Sequence, residues 1–564
     1  MPERIFIGVA WPYANGPLHM GHIAGCYLAA DIFARYHRMK GNEVLMVSGS
    51  DAHGTPITIR ADQEGVEPDV ILDRYHTQFL DTWQRLGITF DLFTTTHTEN
   101  HQRVVQDIFK RLQEQDYIYA DTMLLAHCAG CSRFLPDRYV EGTCPHCRNE
   151  RARGDQCDSC GHTLDPIDLV EPRCSICGDT PDFRDSEHFF LRLSAFEQPL
   201  LDWIGDKDFW RPNVANSTRG FLQGGLKDRA ISRDLTWGVP LPMEGYEGKR
   251  IYVWFEAVIG YLSAAVEWAE RSGKPDAWED FWKEDDTKAY YFIGKDNIPF
   301  HSIIWPAMIM AYGGLNLPYD VPANEFLSLE NRKFSTSQNW ALWVPDYLDR
   351  YDPDPLRYML SINMPETGDT DFSWNEFVRR NNDELVATYG NLVNRVLRFT
   401  YRNFDGQVPV DAAPPEDVEI ALLDSARQAM ADVDNSLYHT RFRAGISRAF
   451  ALAQESNRYL DARAPWQSIK TDRADAARSL GTAIRVLNCL KVILAPYLPF
   501  TSQKVHEFLG FDGDVNGEPW DFDALVESIK PGAPLRNPSA LYAKLDTAVT
   551  EQEAESAIGG GVPA

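Results

Sequence analysis

The chain lacks the features of a membrane protein and of a broad nucleic-acid-binding surface. No apolar run approaches the roughly 20 residues that a membrane-spanning helix requires, and no secretory pattern precedes the apolar stretch that begins at Ile5. Basic residues are scarce, because 55 Lys and Arg stand against 82 Asp and Glu, a formal net charge of −27. We therefore expect a cytoplasmic protein without a membrane partner, in which any nucleic-acid site is a local basic patch.

The remaining composition is typical of a globular protein. Of the 564 residues, 44% are hydrophobic and 24% are charged. A chain of this length predicts about three to four domains with a sizeable core. Apart from its cysteine pairs, the sequence contains no internal repeat.

Eight of the ten cysteines form Cys-x-x-Cys pairs. The four pairs are Cys128/Cys131, Cys144/Cys147, Cys157/Cys160 and Cys174/Cys177, whereas Cys26 and Cys489 stand alone. Thiols stay reduced inside cells, so this pattern predicts metal binding rather than disulfides, and redox pairs are the weaker alternative. Eight thiolates suffice for two closed tetrahedral sites, which indicates structural zinc rather than a catalytic ion. The spacing permits a nested or a sequential pairing.

Strand and helix patterns alternate at the start of the chain. "RIFIGVAW" reads as a buried strand, residues 20–41 as a helix that packs one face on a sheet, and "NEVLMVSGSD" as the next strand. Two strands joined by a helix form a parallel unit, whose ligands lie beyond the carboxyl ends of the strands. Both "WPYANGPLHMGH" and "GSDAHGTP" follow such ends.

The sequence divides into a parallel-sheet domain, an insertion and a helical bundle. We predict an α/β fold of Rossmann type, with a sheet domain in two halves (1–116 and 251–330) and an insertion of cysteine knuckles, short strands and loops (117–250). "RIYVWFEAVIGYLSAAVEWAE" and "KAYYFIGKDNIPFHSIIWPAMIMAY" are each predicted to run from a strand into a helix. The region 331–380 precedes an all-α bundle (381–546), and we expect the tail (547–564) to be disordered.

Two histidines lie at the first predicted strand-to-helix turn. His19 is placed at the helix entry and His22 one turn later, while Gly21 leaves the backbone open to close approach. The unpaired amides at a helix N-terminus bind phosphate, and imidazoles add donors, so the turn predicts a nucleotide site. A structural pair or a metal site would be the alternative if these residues stood alone.

The same turn resembles the His-x-Gly-His signature of class I aminoacyl-tRNA synthetases. "KFSTS" at Lys333 to Ser337 is similar to their second signature, Lys-Met-Ser-Lys-Ser. Together with "GSDAHGTP", "VWFEAVIGY", "GKDNIPFHSIIWP" and the knuckles, the chain to about residue 540 resembles the methionyl-tRNA synthetase family. Isoleucyl- and valyl-type enzymes are rivals, but the insertion of about 130 residues is too short, and wrong in composition, for their editing domain.

The resemblance implies a two-step, ATP-dependent reaction. Methionine and ATP form methionyl-adenylate and pyrophosphate, and the methionyl group then passes to the 3′ adenosine of initiator and elongator methionine tRNAs. The catalytic residues that it implies are His19, His22, Lys333, Ser335 and Ser337, with Asn15, Gly21, Gly294, Asp296 and Lys333 at ATP. The implied cofactors are Mg²⁺ with ATP and structural zinc, two ions in the nested pairing.

One position departs from the second signature. Thr336 stands where the family usually has a second lysine, and the neighbouring Arg332 is a hypothetical source of the missing charge. The resemblance also assigns Asp51 to the methionine ammonium group. Its thioether pocket comprises Tyr13, Trp254, Ala257, Tyr261 and His301, and the departures Trp11, Val258 and Asn297 leave the pocket's detailed shape open. Trp254 and Tyr261 are expected at the end of a strand that faces the nucleotide motif.

The bundle is implied to read the CAU anticodon. Asn391, Arg395 and Trp466 match the family's anticodon-contacting positions, and Arg398 and Arg402 extend the same face. Such a local basic patch reconciles an RNA partner with an acidic protein. We expect a monomer. A catalytically inactive, tRNA-binding relative is the alternative from another functional class, but such proteins usually lose the histidine or lysine signature.

Overall fold

The computed structural model describes residues 2–154, 157, 159–160, 164–334, 340–550 and 553. Within these ranges, no helix combines the length and the apolar character needed to cross a membrane. The predicted parallel-sheet core, insertion and C-terminal helical bundle are all present.

Near the start of the chain, strands alternate with helices as predicted, and the C-terminal region is helical as predicted. The strands are β1 (Arg4–Val9), β2 (Glu43–Ser50), β3 (Leu92–Thr95), β4 (Ile118–Cys128), β5 (Arg133–Phe134), β6 (Val140–Thr143), β7 (Ala152–Arg153), β8 (Val170–Cys174), β9 (Asp182–Leu191), β10 (Arg229–Ala230), β11 (Ser232–Arg233), β12 (Arg250–Ile251), β13 (Thr287–Gly294), β14 (Ala323–Asn324), β15 (Leu327–Leu329), β16 (Arg332–Lys333) and β17 (Thr370–Phe372).

Helices cover most of the remaining chain. They are α1 (Met20–His22), α2 (Leu28–Met39), α3 (Thr55–Glu64), α4 (Pro68–Leu86), α5 (Glu99–Glu114), α6 (Glu197–Ile204), α7 (Pro212–Gln223), α8 (Val253–Arg271), α9 (Glu279–Trp282), α10 (Trp305–Tyr312), α11 (Val344–Leu348), α12 (Pro353–Ile362), α13 (Trp374–Arg380), α14 (Asn391–Val393), α15 (Phe399–Asn403), α16 (Asp417–Tyr438), α17 (Phe442–Arg463), α18 (Pro465–Ser468), α19 (Arg473–Leu494), α20 (Pro499–Phe508) and α21 (Phe522–Ser528). Wider π-type turns at Ile23–Tyr27, Phe300–Ile304, Asn381–Gly390 and Asn394–Arg398 continue the adjoining helices.

The core sheet is parallel throughout and has the order β14-β13-β1-β2-β3. Its strands are nearly continuous apolar runs because helices cover both faces. The chain leaves β1 for β2 on one side, and β13 returns on the other side of β1. The strand order therefore reverses at β1, and the crevice beyond its carboxyl end is where such sheets bind ligands.

One predicted strand is almost absent. The apolar run after Lys249 forms only the two-residue β12, which pairs antiparallel with β11 outside the core sheet, and α8 begins at Val253. Our strand prediction there was wrong because a short apolar run does not distinguish a buried strand from a buried helix. Trp254 and Tyr261 therefore lie on a helix rather than at a strand end.

The insertion contains longer elements than the sequence predicted. The antiparallel strands β4 and β9 pair from Ile118/Leu191 to His127/Asp182, and α6 and α7 follow β9. The knuckles lie at the far end of this two-stranded arm, next to a small sheet of order β7-β6-β8. At that end Tyr139 pairs with Thr58 of α3 at 3.1 Å, so the knuckle region contacts the helix that follows β2.

A tight turn sets the orientation of the second signature. Strands β15 and β16 pair antiparallel, and the two residues between them, Glu330 and Asn331, are left-handed with φ of 48° and 61°. Such a two-residue turn suits the twist of a hairpin but is costly for a side chain larger than glycine. Asp371 stabilises it by accepting a hydrogen bond from the Asn331 amide at 2.6 Å. Lys333 is thereby held on a short, fixed strand.

A fully buried ion cluster joins the sheet domain to the bundle. Arg357 on α12 donates to Asp31 on α2 at 2.7 Å, and to the carbonyl oxygens of Pro496 and Tyr497, both at 2.8 Å. Burial alone would raise the pKa of Asp31, but Arg35 and Arg357 outweigh burial and lower it. The buried carboxylate is thus charged and paired on two sides.

Glu553, in the region predicted to be a tail, contacts the segment that follows α11. From the predicted tail, the structure describes residues 547–550 and Glu553, whose carboxylate contacts Arg350 and Tyr351. The remaining tail residues lie outside the described ranges.

Replacing Arg357 by methionine should destabilise the protein by about 3–5 kcal/mol, because the change removes one partner of a buried ion pair. Urea unfolding followed by tryptophan fluorescence measures the change. The matched control is Arg103→Met, which removes the exposed pair with Glu270 and should cost less than about 1 kcal/mol. Equal losses of unfolding free energy in the two variants would contradict a larger contribution from the buried cluster.

Candidate active site and metal-binding tetrads

The candidate active site lies at the carboxyl edge of the parallel sheet. The segment after β1 and the segment after β2 are joined by hydrogen bonds, because the Asp51 amide donates to Pro12 O at 2.8 Å and the Ala14 amide donates to Asp51 O at 3.3 Å. Strand β13 ends at Gly294, and Asp296 follows it at the same edge. Three separated pieces of sequence therefore meet where the strand order reverses.

The two signature histidines are stacked at the start of α1. His19 precedes the first helical residue, and its ring centroid lies 3.8 Å from that of His22. The His19 amide donates to Nδ1 of His22 at 3.1 Å, so the proton of a neutral His22 imidazole resides on Nε2. Burial lowers the pKa of His22 to about 4. Burial and the neighbouring His22 ring lower the pKa of His19 well below its usual value. Both rings are therefore neutral hydrogen-bond donors at physiological pH.

The first and second signatures are in direct contact. Phe334 lies parallel to the His19 ring at a centroid separation of 4.8 Å. A Cβ at Gly21 would lie 3.0 Å from the His19 ring and 3.2 Å from the Phe334 ring, so a larger residue there would press on both members of the stack. The described residues of the two signatures are therefore adjacent in space.

Lys333 is exposed and lies 4.8 Å from the Phe326 ring centroid. The pKa of Asp296 is raised by burial, and the charges of Lys333 and Lys295 oppose that rise, which places Lys333 near the end of β13. Arg332, its neighbour on β16, stacks over the Trp340 ring at 4.3 Å. Ser335, Thr336 and Ser337 lie outside the described residues.

Asp51 is a buried carboxylate at the end of β2. Its side chain is 3% exposed, and both burial and the nearby charge of Glu256 raise its pKa well above the usual range. The His53 amide gives it a weak hydrogen bond of 3.4 Å. Such a group gains most from a cationic ligand, because a buried carboxylate without a counter-charge favours its protonated form.

Two hydrogen-bonded pairs connect the residues predicted to surround the thioether. Trp254 Nε1 donates to the Tyr13 hydroxyl at 3.2 Å, and Tyr261 pairs with Nε2 of His301 at 2.7 Å. His301 Nδ1 faces Asn297 O at 2.9 Å, and burial lowers the pKa of His301 to about 4. A neutral His301 therefore donates from Nδ1 and accepts from Tyr261. Ala257 lies between Trp254 and Tyr261 on α8 and is half-buried.

Trp11 fits because two neighbouring positions are glycine. A Cβ at Gly49 would lie 2.0 Å from the Trp11 ring, and one at Gly260 would lie 2.7 Å from it. The indole therefore packs directly on the backbone of β2 and α8. This arrangement explains how a large side chain is accommodated at a position where we expected an aliphatic one.

The eight paired cysteines form two tetrads. One comprises Cys128, Cys131, Cys174 and Cys177 and the other comprises Cys144, Cys147, Cys157 and Cys160, with the sulfur atoms of each within 4.8 Å of one another. Four thiolates at 2.3 Å from a tetrahedral zinc ion would be about 3.8 Å apart. The measured separations of 3.3 Å (Cys128–Cys177) and 3.8 Å (Cys131–Cys174) approach this value, as do 3.8 Å (Cys144–Cys160) and 3.6 Å (Cys147–Cys157). The nested pairing is confirmed, and both tetrads could hold a metal ion.

Local turns explain how the Cys-x-x-Cys pairs converge. The residue after the second cysteine is left-handed in three described knuckles, at Ser132, Arg148 and Gly178, with φ of 52°, 62° and 82°. In two of them a backbone hydrogen bond returns to the first cysteine, from Arg148 to Cys144 at 3.0 Å and from Gly178 to Cys174 at 2.9 Å. Each turn aims its two thiols at one point.

Two of the three predicted anticodon residues are in contact. The Arg395 guanidinium lies 4.7 Å from the Trp466 ring centroid and pairs with Asp461 at 2.5 Å. Asn391 lies one helical turn before Arg395 on the same continuous helix. This face combines an aromatic ring with a cation, which is the chemistry that binds unstacked bases.

Sequence reasoning missed a buried polar network beside Asp51. Glu256 is fully buried on α8 and contacts His53 and His101. The available signal was a single glutamate within the apolar run "VWFEAVIGYLSAAV", since a buried carboxylate needs polar partners. The identity of those partners was not readable from the sequence, because His101 and Glu256 are 155 positions apart.

Comparisons with known proteins cover nearly the whole chain. Residues 5–397 match the family model described as tRNA synthetases class I (M), and residues 408–560 match the anticodon binding domain of methionyl tRNA ligase. The methionine–tRNA ligase of Dehalococcoides mccartyi is 57% identical over 98% of this chain and 99% of its own length. That of Thermomicrobium roseum is 53% identical, with 98% of each chain covered.

A solved structure has the same fold. Mycobacterium tuberculosis methionyl-tRNA synthetase bound by methionyl-adenylate superposes with a TM-score of 0.79 at 24% identity, covering 96% of this chain and 100% of that one. The free form of the same protein gives a TM-score of 0.72. These values establish the common architecture of sheet domain and bundle.

Each tetrad should hold its own ion, so Cys144→Ser should lower the metal content from two ions per chain to one. Elemental analysis of the purified protein measures this content. The control is Cys26→Ser, which changes a buried thiol outside both tetrads and should leave two ions bound. Loss of both ions from Cys144→Ser, or of none, would contradict two independent sites.

Proposed function

The chain belongs to the family of class I tRNA synthetases that act with methionine, and from this we infer how its residues attach methionine to tRNA. It is a methionine–tRNA ligase, as are its relatives at 57% and 53% identity over nearly the full length. The observation that carries the assignment of the site is the stack of His19 on Phe334, because it joins two signatures more than 300 residues apart.

In the first step, we assign the sheet edge to MgATP. The methionine carboxylate attacks the α-phosphorus, the bond from that phosphorus to the bridging oxygen breaks, and pyrophosphate leaves with its magnesium ion. His19 and His22 donate hydrogen bonds to phosphate oxygens as neutral groups, so they retain their protons throughout. Lys333 stabilises the charge that develops on pyrophosphate. Asn15, Gly21, Gly294 and Asp296 hold the nucleotide, and positioning with charge stabilisation supplies the rate enhancement.

In the second step, a hydroxyl group of the tRNA 3′ adenosine attacks the methionyl carbonyl. The new ester bond replaces the mixed anhydride, and AMP leaves together with the proton of the attacking hydroxyl group. Asp51 holds the methionine ammonium group in both steps, while Tyr13, Trp254, Ala257, Tyr261 and His301 surround the thioether. Aromatic rings and a neutral imidazole suit this polarizable sulfur, because no charge competes for the space that it occupies. Ser335 and Ser337 are assigned to the loop that closes on ATP.

The tetrads and the bundle have supporting roles in this proposal. Two zinc ions, one in each tetrad, would fix the knuckles at the end of the arm without taking part in the reaction, because four thiolates leave no open position. Asn391, Arg395 and Trp466 would contact the anticodon of initiator and elongator methionine tRNAs. We propose that the protein acts as a cytoplasmic monomer.

The adenylation site is tested by pyrophosphate exchange into ATP with methionine, isoleucine, leucine and valine in turn. Exchange should depend on methionine, and His22→Ala should reduce it by about 100-fold or more, because a donor to the transition state is lost. A folded wild-type protein that gives no exchange with any amino acid would support a tRNA-binding protein without catalysis instead.

Within the second signature, Lys333→Ala should abolish exchange, whereas Arg332→Ala should retain it. The stack of Arg332 on Trp340 holds its charge at that ring, so the structure supports Lys333 as the cation at pyrophosphate. Equal losses in the two variants would show that Arg332 supplies the charge missing at Thr336.

Anticodon recognition is tested separately from adenylation. Trp466→Ala should raise the KM for methionine tRNA by about 10- to 100-fold, as expected when a base loses its stacking partner, and leave pyrophosphate exchange unchanged. The control is Arg427→Ala, which breaks an exposed pair with Asp523 on the same bundle and should change neither value. An unchanged KM in Trp466→Ala would contradict the assignment.

A further inference from the structure

Glu256 is the only carboxylate on the first two turns of α8, and it is enclosed by histidines. Its Oε1 accepts a hydrogen bond from Nδ1 of His53 at 2.7 Å, and its Oε2 accepts one from Nε2 of His101 at 2.9 Å. Nδ1 of His101 in turn faces the Ser263 hydroxyl at 2.8 Å. Both carboxylate oxygens are therefore used, and the side chain has no exposed surface.

The charge of Glu256 is maintained by these contacts. Burial alone would raise its pKa, but His53 and His101 outweigh burial and lower the pKa to about 2. Glu256 is therefore a carboxylate at physiological pH and fixes both imidazoles with a proton on the nitrogen that faces it. The network continues through Nε2 of His53 to Nδ1 of His97 at 3.0 Å, and His97 reaches Asp69 at 3.2 Å near the surface.

His53 is two residues beyond Asp51, so the network holds the segment that carries the ammonium-binding carboxylate. The same segment is fixed through Ala52, whose amide donates to Thr96 Oγ1 at 2.9 Å and whose carbonyl accepts from Trp237 Nε1 at 2.7 Å. The His53 amide also donates a hydrogen bond to the Asp51 side chain, at 3.4 Å. A movement of the His53 ring would thus displace the backbone that supports Asp51.

Glu256 lies on the helix that carries the thioether pocket. Trp254, Ala257 and Tyr261 belong to the first turns of α8, on either side of Glu256 in the sequence. The ion pair from Glu256 to His53 is therefore a direct link between the helix that surrounds the methionine side chain and the segment that binds its ammonium group.

We propose that Glu256 is a positioning residue that sets the place of the Asp51 carboxylate relative to the thioether pocket. The proposal rests on the function inferred above, which assigns Asp51 to the ammonium group of methionine. Glu256 acts through His53 and does not touch the substrate. Methionine binding depends on it because the ammonium group and the thioether must be held at one fixed separation.

The alternative is that Glu256 acts on Asp51 only through its charge. This alternative predicts that Glu256→Gln changes the KM for methionine in the opposite direction. The negative charge of Glu256 raises the pKa of Asp51, so removing that charge would favour the ionised form of Asp51 and tighten methionine binding. Loss of positioning would weaken binding. The direction of the change in KM therefore separates the two.

The experiment compares Glu256→Gln with the wild-type protein in methionine-dependent pyrophosphate exchange. The substitution preserves shape and removes the charge that orders both histidines. We expect the KM for methionine to rise at least 10-fold, with kcat within 3-fold and the KM for ATP within 2-fold of wild type. The inhibition constant of 4-(methylthio)butanoate, which has the thioether but no ammonium group, should stay within 2-fold.

A matched control is Glu267→Gln. Glu267 is a buried glutamate on the same helix, and its described partners are Thr94, from which it accepts a hydrogen bond at 2.9 Å, and Arg271 at 2.5 Å, rather than the histidines that contact Glu256. It should leave the KM for methionine unchanged. His53→Asn provides a second variant that breaks the link from the other side and should reproduce the rise in KM. Circular dichroism and metal content establish that each variant is folded.

Three results would overturn the proposal. A methionine KM that falls or stays within 2-fold in a folded Glu256→Gln protein would exclude positioning. A parallel rise in the inhibition constant of 4-(methylthio)butanoate would show a general disturbance of the pocket. An equal rise in the KM for methionine in Glu267→Gln would show that the loss of any buried charge on α8 produces this rise. Absence of methionine-dependent exchange in the wild-type protein would instead refute the function inferred above.

Discussion

The buried cluster of Arg357, Asp31 and Arg35 is the contact on which the arrangement of the domains depends. Arg357 contacts a helix of the sheet domain through Asp31 and the bundle through two carbonyl oxygens. Removing charged groups from water is expensive, so such a cluster persists only where every partner is present in one geometry. It therefore ties the position of the bundle to α2, the helix that continues from the signature histidines.

Burial decides the chemistry of the active site as much as residue type does. His19, His22 and His301 are all kept neutral by burial, so they act as directional hydrogen-bond groups rather than as cations. Asp51 is the reverse case, because burial makes its charged form unfavourable until a cation arrives. Lys295, beside Asp296, is paired with Glu325 and Asp369, which leaves Lys333, among the described residues, as the exposed cation beside the place assigned to pyrophosphate.

The insertion takes part in the site as well as carrying the cysteines. Trp237, which lies within it, donates to the Ala52 carbonyl and stacks on His97 at 4.4 Å. With metal bound, the tetrads would order the far end of the arm, while Trp237 helps to hold the segment after β2. Trp237 therefore joins the insertion directly to the segment that carries Asp51.

Local sequence patterns predicted much of the fold and the metal-binding cysteines of this protein. Apolar periodicity defined β1, β2 and the helical bundle, and Cys-x-x-Cys spacing indicated two metal sites, because backbone geometry turns such spacings directly into faces and turns. The resemblance of "PYANGPLHMGH" and "KFSTS" to two signatures predicted where the nucleotide site lies. What only the tertiary structure decided falls into two kinds.

The first kind is a choice between alternatives that the local sequence fits equally well. Nested and sequential cysteine pairing have the same local spacing, and the apolar run after Lys249 suited a strand as well as the helix that forms. The second kind is a contact between residues far apart in the chain. The stack of His19 on Phe334, the fit of Trp11 over Gly49 and Gly260, and the partners of Glu256 join residues that are far apart in the chain. Such contacts depend on how whole elements pack, which no local pattern specifies.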